Sequence, residues 1–123
     1  MRKIVLPDEE RLPEHGFNGP REGTSKYKPI LKEIGLSNPS KREVDALREA
    51  VGHKVCEIGD KYAAQNMLDL MSGKLKRIED AKLFRRENED GTVTITNIPD
   101  DYFKWVFFMT WLNELSRSMG DTI

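Results

Sequence analysis

The sequence of 123 residues predicts a mainly α-helical protein that carries one small β-hairpin. Three observations predict this fold class. Apolar residues recur at steps of three or four between Val44 and Ile78, residues alternate from Thr92 to Thr96, and an aromatic-rich helical segment follows Pro99. A chain of this length has room for one ordinary domain and therefore for one core.

The domain organisation follows from the distribution of proline and glycine. Residues 1–25 contain both at short intervals among charged residues, and no apolar period of 2 or 3.6 is sustained there. Such a composition is typical of a segment without a core of its own. We therefore expect a flexible arm over residues 1–25 and a single helical domain over residues 26–123.

Two helices are predicted in the first half of the domain. Apolar residues spaced by three and four predict a short helix over Tyr27–Ile34, which ends at Gly35. Ser40 followed by Glu43 is a capping box, so a long helix begins there. Its apolar stripe rotates after Tyr62. Two glycines inside this helix, Gly52 and Gly59, leave two alternatives open, namely a helix end or the close approach of a second backbone.

The second half of the domain predicts a hairpin and a last helix. Ser72 and Gly73 form a plausible helix end. Two runs that flank a loop containing Gly91 predict a β-hairpin at about residues 83–98. Asn97, Pro99 and the acidic pair that follows then mark the start of a helix that extends to about Gly120.

The last helix is apolar on two sides, which predicts burial on more than one side. Trp105 and Phe108 lie on one side, whereas Phe103, Phe107 and Trp111 lie on the other. Either this helix is the central core element, between the long helix and the hairpin, or one side contacts another subunit or a partner. The candidate interface residues are Phe103, Trp105, Phe107, Phe108 and Trp111.

No residue pattern indicates catalysis or a bound cofactor. His53 and Cys56 have the spacing of three that lets helical side chains share a metal ion, but a closed zinc site needs four good ligands and the only other histidine is His15 in the arm. We interpret the pair as an ordinary histidine beside a buried cysteine. The sequence therefore predicts a protein that is not an enzyme, with no catalytic residue, no metal site and no cofactor.

Cysteine content and hydropathy indicate the compartment. The single cysteine excludes an intramolecular disulfide, and no apolar run approaches the ~20 residues that a membrane span requires. We expect a cytoplasmic protein without a membrane partner, which would lie in the host cytoplasm if the protein is viral.

Clustered basic residues are the remaining functional signal. A net charge of −1 gives no overall attraction to nucleic acid, so any binding must come from local groups. Such groups could contact phosphates, although charge runs in a chain that is one-third charged are also typical of solvated surface. The candidate nucleic-acid-binding residues are Arg21, Lys26, Lys28, Lys74, Lys76, Arg77, Lys82, Arg85 and Arg86.

Three hypotheses about function follow. The first is a non-enzymatic homo-oligomer that binds DNA or another nucleic acid. The order of arm, short helix, long helix and late hairpin is similar to the layout of small terminase subunits of tailed bacteriophages, and this resemblance implies a role in DNA packaging. The second hypothesis is an adaptor or inhibitor, such as a phage or bacterial regulator, that binds a larger protein. The third is a structural component of a larger assembly.

Overall fold

Three helices and one hairpin make up the computed structural model, which describes residues 4–13 and 20–120, except the side chains of residues 20–25. The mainly α-helical class with a small hairpin is confirmed. The helices are α1 (Pro20–Glu33), α2 (Lys41–Ser72) and α3 (Asp100–Gly120), and the strands are β1 (Phe84–Glu87) and β2 (Val93–Thr96). Two short 3-10 helices, Glu9–Arg11 and Ile78–Asp80, complete the described elements.

α2 begins and ends at the capping residues that the sequence predicts. The Glu43 N–H donates to Ser40 Oγ at 3.2 Å, and the Ser40 N–H donates to Glu43 Oε1 at 3.1 Å, so the predicted capping box is formed. Gly73 adopts the left-handed conformation with φ of 83°, which ends the helix. Between these ends the helix is continuous. A Cβ at Gly52 or Gly59 would make only an ordinary contact at 3.9 Å with an α3 side chain, so neither alternative suggested for these glycines occurs.

The first helix is longer than the sequence pattern predicts. It begins at Pro20, whereas the apolar spacing places its start near Tyr27. Proline is favoured at the first helical position because its missing N–H has no partner there in any case. Six of the 14 residues of α1 therefore lie inside the segment that composition assigns to the arm.

The core is built around α3, which packs between α2 and α1. The Tyr27 ring lies 5.3 Å from Phe108 and 5.2 Å from Trp111, measured between ring centroids. Trp111 therefore belongs to the core and not to a second side of the helix. The hairpin contributes no residue to this core. The last helix was predicted to pack between the long helix and the hairpin, but its second neighbour is α1. The buried core comprises Leu12, Tyr27, Ile30, Leu31, Leu36, Val44, Leu47, Val51, Val55, Ile58, Trp105, Phe108, Trp111 and Leu112.

Part of the predicted arm packs against this core. Leu12 is buried, while Ile4 and Leu6 pack against the core with part of their surface exposed. The Trp105 indole N–H donates to Glu9 Oε1 at 3.1 Å, which gives the buried indole a hydrogen-bond partner. Ile4, Leu6 and Leu12 thus lie on the domain, although their spacing has no helical or strand period. His15 lies outside the described residues.

The hairpin has a defined register and a tight turn. Phe84 lies opposite Thr96, Arg85 opposite Ile95, Arg86 opposite Thr94 and Glu87 opposite Val93. Gly91 provides the left-handed residue of the turn, with φ of 86°. Asn97, predicted as a helix cap, instead donates through Nδ2 to the carbonyls of Glu79 at 2.8 Å and Ala81 at 3.1 Å, and so fixes the base of the hairpin to the preceding 3-10 helix.

Polar contacts set how α2 and α3 overlap. At one end Ser116 Oγ donates to Asp45 Oδ1, and Lys41 Nζ lies 3.2 Å from Asp45 Oδ2 and donates to Ser116 Oγ at 3.2 Å. At the other end the Tyr62 hydroxyl donates to Asp101 Oδ1 at 2.9 Å. The antiparallel α3 therefore covers α2 from about Asp45 to Tyr62, and the last part of α2 extends beyond it.

Replacing Asp45 by asparagine is expected to weaken the acid dependence of stability. The hydrogen bond from Ser116 and the contacts with Lys41 lower the pKa of Asp45 from its usual 3.8. Because the lowered pKa applies to the folded state, Asp45 contributes stability above pH 3.8 that is lost as the pH falls through the folded-state value. Urea unfolding followed by circular dichroism across this range should show a shallower decline for Asp45→Asn.

Ser116→Ala provides a check on the cause of this effect, because it removes the hydrogen bond that contributes most to the pKa shift. Its acid slope should lie between those of the wild type and Asp45→Asn. An unchanged slope in Asp45→Asn would contradict the prediction.

Candidate nucleic-acid and protein interface

The part of the chain beyond the core forms a projecting region that we call the distal lobe, defined as residues 63–98. It contains the end of α2, the 3-10 helix Ile78–Asp80 and the hairpin. Only Ala81 is buried within it. Because α2 rises by about 1.5 Å per residue and α3 stops covering it near Tyr62, its last ten residues extend the lobe about 15 Å past the core.

Most of the predicted phosphate-binding residues lie on the distal lobe. Lys74, Lys76, Arg85 and Arg86 are exposed and make no ion pair within the described part of the chain. The other two cations of the group have neighbours. Arg77 Nε lies 3.4 Å from Glu79 Oε2, and Lys82 Nζ lies 5.6 Å from the centroid of the Tyr62 ring. Among the described residues, no carboxylate lies within ion-pair distance of these four cations.

The remaining basic candidates lie near the other end of the molecule. Lys26 and Lys28 are exposed on α1, which packs against α3 through Tyr27. Lys28 borders a groove of about 270 Å³ that Pro39, at the start of α2, also lines. The structure therefore separates this basic group from the distal lobe by the length of the α2–α3 overlap. The side chain of Arg21 lies outside the described residues.

The predicted aromatic interface divides into two sets. Trp105, Phe108 and Trp111 are buried inside the chain and present almost no surface to a partner. Phe103 and Phe107 keep part of their surface exposed and stack on each other, with ring centroids 5.4 Å apart. Helical spacing alone cannot reveal that α1 covers Trp111, because this depends on tertiary contact.

An apolar face on α2 is the surface feature that the sequence analysis missed. Met67 and Leu68 are each 59% exposed and Met71 is 77% exposed. Met67 and Met71 lie on the side of the helix opposite Val51, Val55 and Ile58, which face the core, and Leu68 lies on the flank between the two sides. The rotation of the apolar stripe after Tyr62 was the sequence feature that could have indicated this exposed face. Ile78, Val93 and Ile95 are further exposed apolar residues of the lobe. Exposed apolar surface of this kind is typical of interaction sites when it is contiguous.

The His53–Cys56 pair has no metal-site geometry. Both residues are exposed, so the interpretation of Cys56 as a buried cysteine is wrong. Val55 and Ile58 take the core positions on either side of it. His53 Nε2 lies 3.9 Å from Glu49 Oε1, and no group of three metal-ligating side chains occurs within residues 4–13 and 26–120.

Ser116, Lys41 and Asp45 are in contact, and serine with lysine can form a catalytic nucleophile. Here the hydrogen bonds instead join two helices. Ser116 is buried, and its hydroxyl proton is directed to the Asp45 carboxylate. Lys41 Nζ also lies 3.2 Å from that carboxylate and donates to Ser116 Oγ, so the lysine is an ion-pair and hydrogen-bond partner within the cluster. The cluster joins the start of α2 to the end of α3.

The chain belongs to the class of mainly α-helical proteins with a small antiparallel hairpin. No protein-family model, curated protein or solved structure matches it. Among the helices in the described ranges, none combines the length and the apolar character needed to cross a bilayer.

Proposed function

We propose that the protein is a non-enzymatic nucleic-acid-binding protein that acts as an oligomer and contacts phosphates through the distal lobe. The observation that carries this proposal is the set of four exposed, unpaired cations on the lobe, namely Lys74, Lys76, Arg85 and Arg86. Lysine and arginine side chains that neutralise phosphates release counterions, and this release supplies most of the sequence-independent affinity for nucleic acid.

The shape of the lobe supports the same proposal. A two-stranded antiparallel ribbon is narrow enough to enter the major groove of duplex DNA, which is about 12 Å wide. Arg85 and Arg86 follow each other on β1 and therefore point to opposite faces of the ribbon. One arginine can contact each wall of a groove. The layout similar to small terminase subunits is consistent with a DNA ligand, and DNA packaging is the corresponding specific hypothesis.

Binding should depend on these four cations and on salt. A variant with Lys74, Lys76, Arg85 and Arg86 all replaced by glutamine is expected to bind at least tenfold more weakly at low salt. For duplex DNA, the slope of log affinity against log salt should fall by up to about 3.6, at about 0.9 for each lost phosphate contact. Fluorescence anisotropy with labelled duplex DNA, single-stranded DNA and RNA across a salt series measures both quantities.

A matched control removes the same charge from the other end of the molecule. Replacing Lys26, Lys28, Lys32 and Arg42 by glutamine changes four exposed cations outside the lobe. This control should retain at least half of the wild-type affinity. Equal losses in the two variants would contradict an interface on the lobe, and the absence of binding to all three probes at low salt would contradict nucleic-acid binding altogether.

A second candidate function is favoured by the exposed face of Met67, Leu68 and Met71. Methionine-rich faces adapt to the shape of protein partners, so this surface suits an adaptor or a component of a larger assembly. This candidate would stand if the anisotropy series showed no nucleic-acid binding.

A further inference from the structure

We propose that two copies of the chain pair through the outer edges of their β2 strands. The strands run antiparallel about a two-fold axis at Thr94, and the two hairpins form one four-stranded sheet in the order β1–β2–β2–β1. A two-stranded hairpin gains stability when further strands extend it. This inference specifies the oligomer of the proposed function. It uses the edge of the hairpin and none of the four cations, so loss of the dimer and loss of nucleic-acid binding are separate outcomes. In the dimer the hairpin is no longer a two-stranded ribbon, and phosphates are contacted from the outer β1 strands instead.

The hydrogen-bonding groups on the outer edge of β2 are free to accept a second strand. The Asn88 N–H donates to the Thr92 carbonyl at 2.8 Å, so Thr92 and Thr94 occupy the positions that bond to β1. By the alternation of the antiparallel ladder from Thr92 to Thr96, Val93 and Ile95 direct their N–H and C=O groups away from β1. The bond from the Leu83 N–H to the Asn97 carbonyl lies beyond this run, between two residues in the left-handed conformation, and does not follow the alternation. Outside the β1–β2 ladder, no turn, loop or side-chain group of the described residues bonds to the main chain of Val93 or Ile95.

One register uses all of these free groups. With the axis at Thr94, Val93 of each copy lies opposite Ile95 of the other, and each such pair can exchange two reciprocal N–H···O=C bonds. A register shifted by two residues in either direction would leave one of these residues without its partner. The pattern of free donors and acceptors on β2 is therefore complementary to itself, as an isologous interface requires.

The side chains favour the same register. Val93 and Ile95 are each 41% exposed and lie on one face of the hairpin, so pairing places two β-branched side chains opposite each other at both positions. Thr94 meets Thr94 of the second copy on the other face, and threonine pairs also stabilise antiparallel sheets.

Charge selects β2 rather than β1 as the joining edge. The central residues of β1 are Arg85 and Arg86, and pairing of two β1 edges about Arg86 would set like charges opposite each other. β2 has the sequence Val-Thr-Ile-Thr, without charge or proline. After two β2 strands pair, only arginine-bearing edges remain exposed. The assembly therefore closes as a dimer and does not extend into a fibre.

The test replaces one outward N–H on each side of the hairpin. Val93→Pro removes a donor on the proposed joining edge, and Glu87→Pro removes the donor at the directly opposite position on β1. We expect the wild type and Glu87→Pro to approach the dimer mass in sedimentation equilibrium at up to ~1 mM chain, a limit suited to weak association. Val93→Pro should show a dissociation constant at least tenfold higher.

Two further measurements keep the result interpretable. The nuclear Overhauser effect between the α-protons of Arg85 and Ile95, which face each other at a non-hydrogen-bonded position, reports whether Val93→Pro still forms the hairpin. In a mixed sample of isotope-labelled and unlabelled wild type, an intermolecular effect between Val93 and Ile95 is expected.

Three outcomes would overturn the proposal. They are a monomeric wild type at the highest concentration, a Val93→Pro variant with an intact hairpin that dimerises as well as the wild type, and an equal loss of dimer in Glu87→Pro.

Discussion

Replacing Phe108 by alanine is expected to lower the free energy of unfolding by about 3–5 kcal/mol, the range for truncating a buried phenylalanine. Phe108 is fully buried at the centre of the core. Its ring centroid lies 5.3 Å from that of Tyr27, 6.3 Å from Trp111 and 6.5 Å from Trp105. Truncation leaves a cavity among rings that belong to two different helices and cannot easily collapse. Urea denaturation followed by far-UV circular dichroism gives the free energy.

Phe103→Ala is the matched control for this experiment. It removes the same side chain from the same helix, but at a position that is partly exposed and stacked on Phe107. The expected loss is about 0.5–1.5 kcal/mol. Equal losses at the two positions would mean that the Phe103–Phe107 pair is as buried as Phe108, for example by a second copy of the chain.

Replacing Tyr27 by phenylalanine is expected to increase the free energy of unfolding by about 1–3 kcal/mol, which is the cost of a buried polar group without a partner. The Tyr27 ring is buried, and its hydroxyl has no hydrogen-bond partner among the described residues. The substitution keeps the ring that stacks on Phe108 and removes only the unsatisfied oxygen. Urea denaturation at neutral pH measures the change, and a loss of stability would contradict the prediction.

Tyr62→Phe is the control of opposite sign. Its hydroxyl donates to the Asp101 carboxylate, so its removal should destabilise the protein by about 1 kcal/mol. Alkaline titration provides a second distinction. Burial raises the pKa of Tyr27 to about 12, so the stability that depends on neutral Tyr27 is present below pH 10 and is lost as the pH rises towards 12. Tyr27→Phe should lose less stability in this range than the wild type.

Features that depend on a few neighbouring residues were predictable from the sequence. The capping box at Ser40, the left-handed end at Gly73 and the hairpin around Gly91 each require a particular residue type at a fixed spacing. The exposed cations of the lobe belong to the same category, because long charged side chains remain at the surface wherever the chain places them.

Features that depend on contact between distant elements were not predictable. Trp111 and Phe107 lie four residues apart on a helix that is apolar on two sides, and only the docking of α1 buries one of them and leaves the other partly exposed. For the same reason Met67 and Met71 continue the apolar pattern of a core helix, yet α3 ends its cover of α2 at Tyr62 and leaves them outside. Periodicity identifies an apolar face but does not identify what covers it.

The overhang of α2 also affects how this protein can change over evolutionary time. The core and the distal lobe are joined by the continuous α2 and by the short link from β2 to α3, and the lobe adds no side chain to the buried cluster around Phe108. Substitutions far apart and without shared neighbours have additive effects on stability. The lobe can therefore acquire new charges, turns or apolar contacts while the core keeps the fold, so the two ends of the molecule can diverge at different rates.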